Sequence, residues 1–76
     1  MARAASFTAF GDRLSAEILD REITGRQAAH EIGVSTATES RVERGYPPRT
    51  DLLLKFAKWM RLSPAELWEL LEANDR

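Results

Sequence analysis

The sequence predicts a single all-α domain made of five short helices. Apolar residues recur at helical spacings of three and four along most of the chain. Patterns that favour a helix start precede two of these stretches, at residues 24–27 and 63–66. A length of 76 residues corresponds to one domain, which we assign to residues 1–76.

The first helix is predicted to cover about residues 6–22. One face of this segment is apolar, as is typical of an amphipathic helix, and consists of Phe7, Phe10, Leu14 and Ile18. Gly11 lies inside the segment, where a glycine destabilises a helix. We therefore expect the first turn to be the weakest part of this helix.

Two further helices are predicted at about residues 25–32 and 36–44, joined by a tight turn. Thr24 and Gln27 have the spacing of a capping box, in which each side chain bonds the backbone amide of the other residue. Gly33 can adopt the left-handed conformation that ends a helix, and Ser35 is a favourable N-cap for the next one. We therefore expect a helix-turn-helix arrangement over residues 24–45.

The third helix has two chemically different faces. Its inward face carries Thr38, Glu39 and Val42, and its outward face carries Thr36, Ala37, Ser40, Arg41 and Arg44. Arg41 has the donors to bind a guanine edge, and the methyl groups of Thr36 and Ala37 could meet a thymine methyl. Such a face is also common on helices that only contact solvent, and the pattern leaves both readings open.

Two more helices are predicted in the C-terminal part of the chain. The segment Tyr46-Pro47-Pro48 cannot continue a helix, so the fourth begins near residue 50 or 51 and ends near residue 61. Its buried stripe consists of Leu53, Phe56, Ala57 and Met60. The fifth covers about residues 64–73 and directs inward Leu67, Leu70 and Leu71.

Two segments resemble the Cro/lambda-repressor-like (Xre-type) helix-turn-helix family. They are AAHEIGVSTATESRVERGYPP at residues 28–48 and LLLKFAKWMRLSPAELWELL at residues 52–71, and the resemblance extends over about residues 6–73. Its most specific parts are IGVS, SRVERG and LSPAEL. The resemblance implies a compact five-helix domain whose third helix lies in the major groove of DNA. It also implies base contacts from Thr36, Ala37 and Arg41, with Ser40 as a further candidate.

The resemblance also suggests which residues contact the DNA backbone. The loop after the third helix runs along the DNA in this family, and a helix N-terminus can bind a phosphate. Our phosphate-contact candidates are therefore Gly25, Arg26, Ser35, Arg44, Tyr46 and Arg49. For Tyr46, a packing role is the alternative.

The sequence departs from the family pattern at two positions. Gly25 stands where the family usually has a glutamine, and Glu39 stands where it usually has a buried aliphatic residue. Because an unpaired buried carboxylate is costly, we expect Glu39 to be only partly buried and to contact Arg26 or His30. The family often links its first and third helices by an ion pair, so Arg13 and Arg21 are candidates to pair with Glu43. Simple solvation of both arginines is the alternative.

Large apolar residues remain on the two C-terminal helices after the predicted core is assigned. We hypothesise that Trp59, Trp68 and Leu71 contribute to a homodimer interface. The alternative is that both tryptophans cover the core of one chain.

The formal net charge of −1 does not by itself indicate a nucleic-acid-binding protein, but the charges are unevenly distributed. Residues 49–62 carry four basic side chains against one acid, whereas residues 63–76 carry four acids against one arginine. Because cysteine is absent and only one histidine is present, we expect no disulfide and no metal site. No segment resembles a membrane span or a phosphate-binding glycine loop, and we expect a cytoplasmic protein without a cofactor or enzyme activity.

These observations favour a sequence-specific, double-stranded-DNA-binding transcriptional regulator, specifically a bacterial or phage repressor. The alternative is an antitoxin-type or other protein-interaction module that binds a protein partner through the last helix. A DNA-binding excision or architectural factor would carry the same recognition helix, and the sequence does not separate it from a repressor.

Overall fold

The computed structural model describes residues 7–73, which fold into five α-helices without any strand. The helices are α1 Thr8–Asp20, α2 Gly25–Ile32, α3 Thr36–Glu43, α4 Thr50–Trp59 and α5 Pro64–Ala73. The bounds of α2 and α5 agree with the prediction, whereas α1 begins two residues late and ends two residues early, α3 ends one residue early and α4 ends two residues early. The predicted start of the first helix at Ser6 lies outside the described residues. The all-α prediction is therefore confirmed for residues 7–73.

Side-chain caps begin three of the helices. The hydroxyl of Thr24 accepts the Gln27 amide at 3.1 Å, and that of Ser35 accepts the Thr38 amide at 3.0 Å. Ser63 and Glu66 form a complete capping box. The predicted box at Thr24 is only half formed, because the Gln27 side chain donates to Glu31 instead.

Helices α1 to α4 all end in the same way. One residue with a positive φ follows each of these helices, namely Glu22, Gly33, Gly45 and Arg61. The backbone amide of the next residue donates to the carbonyl oxygen five residues earlier. Gly33 and Gly45 adopt this conformation without strain, with φ of 92° and 96°. Glu22 and Arg61 adopt it with φ of 57°, which side-chain-bearing residues rarely do. The early ends of α1 and α4 follow from these two residues.

The core lies between the first four helices. Helix α1 contributes three of its buried members, α2 two, and α3 and α4 one each, and one more directly follows α4. They are Phe10, Leu14, Ile18, Ala28, Ile32, Val42, Phe56 and Met60. Helix α5 contributes no fully buried residue and packs against α1 through half-buried leucines. The centre of the domain is thus built around α1, with α5 as an outer cover.

Gly11 is the point of closest approach between α1 and α3. A Cβ atom at this position would lie 2.5 Å from the Val42 carbonyl oxygen and 2.8 Å from that of Glu43. The glycine that weakens α1 locally therefore allows α3 to pack directly on the α1 backbone.

The helices in residues 7–73 are all too short or too polar to span a membrane.

Candidate functional site

The outward face of α3 is the candidate functional surface. Thr36, Ala37 and Arg41 are exposed and Ser40 is half-buried, whereas Glu39 and Val42 on the opposite face are buried. The predicted division of this helix into an inward and an outward face is confirmed at these exposed and buried positions, whereas Thr38, predicted to face inward, is half-buried like Ser40. The outward residues of the helix form a short polar strip with the guanidinium of Arg41, and exposed Arg44 adds a second guanidinium directly after α3. Such a strip is suited to hydrogen bonding.

The start of α3 is held by the turn that follows α2. Gly33 ends α2 in the left-handed conformation, and the Val34 amide bonds the Ala29 carbonyl oxygen at 3.0 Å. The Ser35 hydroxyl accepts the Thr38 amide and donates to the Thr38 hydroxyl at 2.9 Å. Ser35 is exposed, but its hydroxyl is already used in the cap. Its contribution to a ligand would come from the backbone amides at the helix start.

The exposed arginines around α3 fall into two groups. Within residues 7–73, Arg26, Arg41 and Arg44 make no ion pair. Arg49 instead binds Asp51 with two hydrogen bonds, of 3.3 and 2.9 Å. Three guanidiniums around α3 are therefore without an ion pair within residues 7–73, whereas that of Arg49 is already paired.

A cleft of about 310 Å³ lies beside the C-terminal half of α3. Arg41, Tyr46 and Arg49 line it together with the two prolines of the loop after α3. Tyr46 is 39% exposed, so its ring forms part of the surface and is not a core residue. The loop thus continues the polar face of α3 toward α4.

Glu39 does not occupy the predicted position, and that prediction is wrong. It is only 2% exposed, and its carboxyl lies against Gly25 and Glu43, not against Arg26 or His30. Because Gly25 has no side chain, the carboxyl fills the space where a Cβ atom would lie 2.8 Å from Glu39 Oε1. Burial, a hydrogen bond with Glu43 and the charge of Glu43 raise the pKa of Glu39 to about 8. The two departures from the family pattern are therefore one structural feature, and their joint occurrence was the signal for it in the sequence.

Neither candidate ion pair with Glu43, from Arg13 or from Arg21, is formed within residues 7–73, and that prediction is also wrong. Glu43 Oε1 accepts a hydrogen bond from the Ser15 hydroxyl at 2.9 Å, and this bond links α1 to α3. Arg21 binds Glu17 at 2.8 Å and the Trp59 carbonyl oxygen at 2.7 Å. Hydrogen bonds from Ser63 lower the pKa of the Glu66 carboxyl, and the positive charge of Arg13 lowers it further.

The residues predicted for a dimer interface have different surroundings. Trp59 is half-buried, with the Arg21 guanidinium 3.9 Å from its ring centre and its indole N–H donated to Glu31 at 3.0 Å. Trp68 is 62% exposed, and Leu71 is half-buried. The intramolecular contacts of Trp59 account for its position without a second chain, whereas Trp68 remains available for a partner.

No family model, curated protein or solved structure matches this chain at a significant level. Across residues 7–73, no group of three or more acidic, histidine or cysteine side chains is arranged to hold a metal ion.

Proposed function

We propose that this chain is a sequence-specific DNA-binding regulator of the Cro/lambda-repressor-like helix-turn-helix type, and that it acts as a bacterial or phage repressor. The observation that supports this best is the outward face of α3, where exposed Thr36, Ala37 and Arg41 lie opposite the buried Glu39 and Val42. An α-helix with such a face fits the major groove, in which every base pair presents a distinct set of donors and acceptors.

In the proposed complex, α3 reads bases and its neighbours hold the DNA backbone. Arg41 donates two hydrogen bonds to a guanine, while Thr36, Ala37 and Ser40 contact adjacent base edges. Arg26 and Arg44, which lack ion-pair partners within residues 7–73, bind phosphates at opposite ends of the motif. The first amides of α2, at Gly25 and Arg26, have no intrahelical acceptor and can bind a phosphate oxygen. Phosphate contacts set the register in which the bases are read.

Three of the predicted phosphate contacts have a more limited role in this proposal. Arg49 already donates to Asp51, so it must either release this carboxylate or bind it and a phosphate at the same time. Ser35 contributes its position at the start of α3, since its hydroxyl caps the helix. Tyr46 is exposed enough to donate its hydroxyl to the backbone of a bound duplex.

We further propose that two chains bind one operator. A helix-turn-helix dimer reads half-sites about 34 Å apart on one side of the duplex. Trp68 is the strongest interface candidate because 62% of it is exposed on α5, and half-buried Leu71 lies on the same helix. Trp59 has a smaller part, since Arg21 covers its ring.

The second candidate function is binding of a protein partner through α5. It is favoured by the exposed Trp68 on a helix that buries none of its residues fully. An antitoxin-type protein could use α5 for this purpose and α3 for DNA.

The decisive experiment is selection of binding sites from a randomised pool of DNA duplexes, using the wild-type protein and two variants. Arg41→Ala should lose roughly 1–3 kcal/mol of binding free energy and relax the preference at one base pair. Lys58→Ala removes one exposed charge from α4 and serves as the matched control.

Each outcome of the selection points to one function. Enrichment of an inverted repeat supports a dimeric reader, and enrichment of a single short site supports a monomeric one. If nothing is enriched even at low salt, the DNA-binding proposal fails and the α5 partner function takes its place. Loss of partner binding in Trp68→Ala, with no effect of Arg41→Ala, would then identify that function.

A further inference from the structure

The inner face of α3 carries two carboxyl groups that meet each other and no cation. Glu39 and Glu43 are one helical turn apart, so their side chains lie on the same side of the helix. Glu39 is 2% exposed, and its Oε2 atom has no hydrogen-bond partner within the described residues. Glu43 is half-buried and accepts the Ser15 hydroxyl. Two ionised carboxylates in such a place would repel each other and lose much of their hydration.

The elements packed around this pair supply no compensating charge. Helix α2 contributes Gly25, which has no side chain, and α1 contributes the neutral Ser15 hydroxyl. The titratable side chains of α2, which are Arg26, His30 and Glu31, are exposed. Within residues 7–73, Glu43 is the charged group that acts on Glu39. The simplest way to accommodate both carboxyls is to leave a proton on one of them.

We infer that Glu39 and Glu43 share one proton at neutral pH, and that this proton holds α3 in its position against the first turn of α2. The protonated carboxyl donates to the other one, as a carboxylic acid can. Loss of the proton leaves two negative charges on the inner face of α3, the helix whose outer face carries Arg41. Glu39 is thus a positioning residue for the outward face of α3, although it lies on the opposite side of that helix.

The proposal predicts a specific pH dependence of folding. A glutamate in the unfolded chain loses its proton near pH 4.5, whereas the pair keeps one proton to about pH 8. Folding therefore takes up one proton between these values, and the stabilisation present at low pH is lost as the pH rises through the window. The unfolding equilibrium constant of the wild type should increase by up to about tenfold per pH unit there.

The test is denaturant unfolding of three proteins between pH 5 and pH 9. Glu39→Gln keeps the shape and the hydrogen-bond donor but cannot ionise, so it should lose the pH dependence that the wild type shows. Glu69→Gln, at an exposed position on α5, is the matched control and should follow the wild type. Comparison with Glu39→Gln also removes the contributions of the other titratable groups, because the two proteins share them. If Glu39→Gln keeps the wild-type slope, the shared proton does not exist.

A second measurement does not depend on whether the variant folds. Carbon-13 carboxyl NMR of the wild type should find one titration step of the pair above pH 7, with the pair titrating as a unit. Two steps below pH 5.5 would overturn the proposal.

The consequence for DNA rests on the proposed function. Raising the pH from 7 to 9 should weaken DNA binding by the wild type by up to about tenfold, because the protonated fraction of the pair falls by that factor, and should leave Glu39→Gln unaffected. Absence of DNA binding at every pH would count against the DNA function alone, because the unfolding and NMR results test the proton independently.

Discussion

Each of two junctions ties three helices together, and the two junctions treat their carboxyl groups in opposite ways. The acid junction, formed by Ser15, Gly25, Glu39 and Glu43, links α1, α2 and α3 without a cation. The arginine junction, formed by Glu17, Arg21, Glu31 and Trp59, links the end of α1 to α2 and α4 around one guanidinium. Both join helix α2 to its neighbours through carboxyl groups.

The two junctions shift the pKa of their glutamates in opposite directions. Hydrogen bonds from Gln27 and Trp59, together with the Arg21 charge, hold the pKa of Glu31 below its usual value. Burial, together with the hydrogen bond and the charge of Glu43, raises the pKa of Glu39. A carboxylate that remains hydrated and receives donors keeps its charge, whereas a desolvated one beside another acid keeps its proton. The difference predicts that the two junctions respond differently to substitution and to pH.

The largest expected effect on stability is at the backbone contact between α1 and α3, next to the acid junction. Gly11→Ala places a Cβ atom 2.5 Å from the Val42 carbonyl oxygen, so α1 and α3 must separate. Because backbone cannot move as readily as a side chain, we expect a loss of about 3 kcal/mol in the free energy of unfolding. Asp12→Ala, at the exposed neighbouring position, is the control for denaturant unfolding and should change little. A normal stability for Gly11→Ala would show that the contact between α1 and α3 is loose.

The next effect is inside the acid junction. Gly25→Ala directs a Cβ atom to within 2.8 Å of Glu39 Oε1 and 3.2 Å of Glu43 Oε2. Displacing the carboxyls should cost about 2 kcal/mol. The double variant with Glu39→Ala should recover part of that loss, because the space is then free, and a double-mutant cycle measures the coupling. Additive losses would mean that Gly25 and Glu39 do not share this space.

These two junctions also show what sequence reasoning could and could not predict. The ends of α2 and the start of α5 follow from local signals such as Thr24 and Ser63, and the two faces of α3 follow from helical periodicity. The position of Glu39 and the role of Gly11 depend on how closely two backbones approach, which no local pattern encodes. The partner of Arg21 depends on α4 being adjacent to the end of α1, a contact between residues 38 apart in sequence. The burial of Glu39 depends on the missing side chain at Gly25, which leaves the space that the carboxyl fills.

A smaller effect is expected at the arginine junction. Arg21→Met keeps the apolar stem against Trp59 but removes the charge and its hydrogen bonds. Arg21 is partly exposed, so solvent replaces some of what is lost, and the expected cost is about 1–1.5 kcal/mol. The indole fluorescence of Trp59 should change as well, since the guanidinium 3.9 Å from its ring is gone. Arg61 makes no ion pair within residues 7–73, so Arg61→Met is the control.

The smallest effect concerns the backbone that follows Arg21. Glu22 has a φ of 57°, where a side chain is unfavourable, while its amide bonds the Leu19 carbonyl oxygen. Glu22→Gly relieves this strain and leaves every contact of Arg21 in place, so it should stabilise the domain by about 0.5–1 kcal/mol. Glu22→Ala keeps the Cβ atom and should give no such gain, which makes it the matched control in thermal unfolding. A gain in both variants would assign the effect to the lost charge and not to the backbone. A gain in the glycine variant alone would mean that the strain at the arginine junction lies in the backbone at Glu22 and not in the side-chain contacts. In the acid junction, by contrast, the unfavourable interaction is between two side chains.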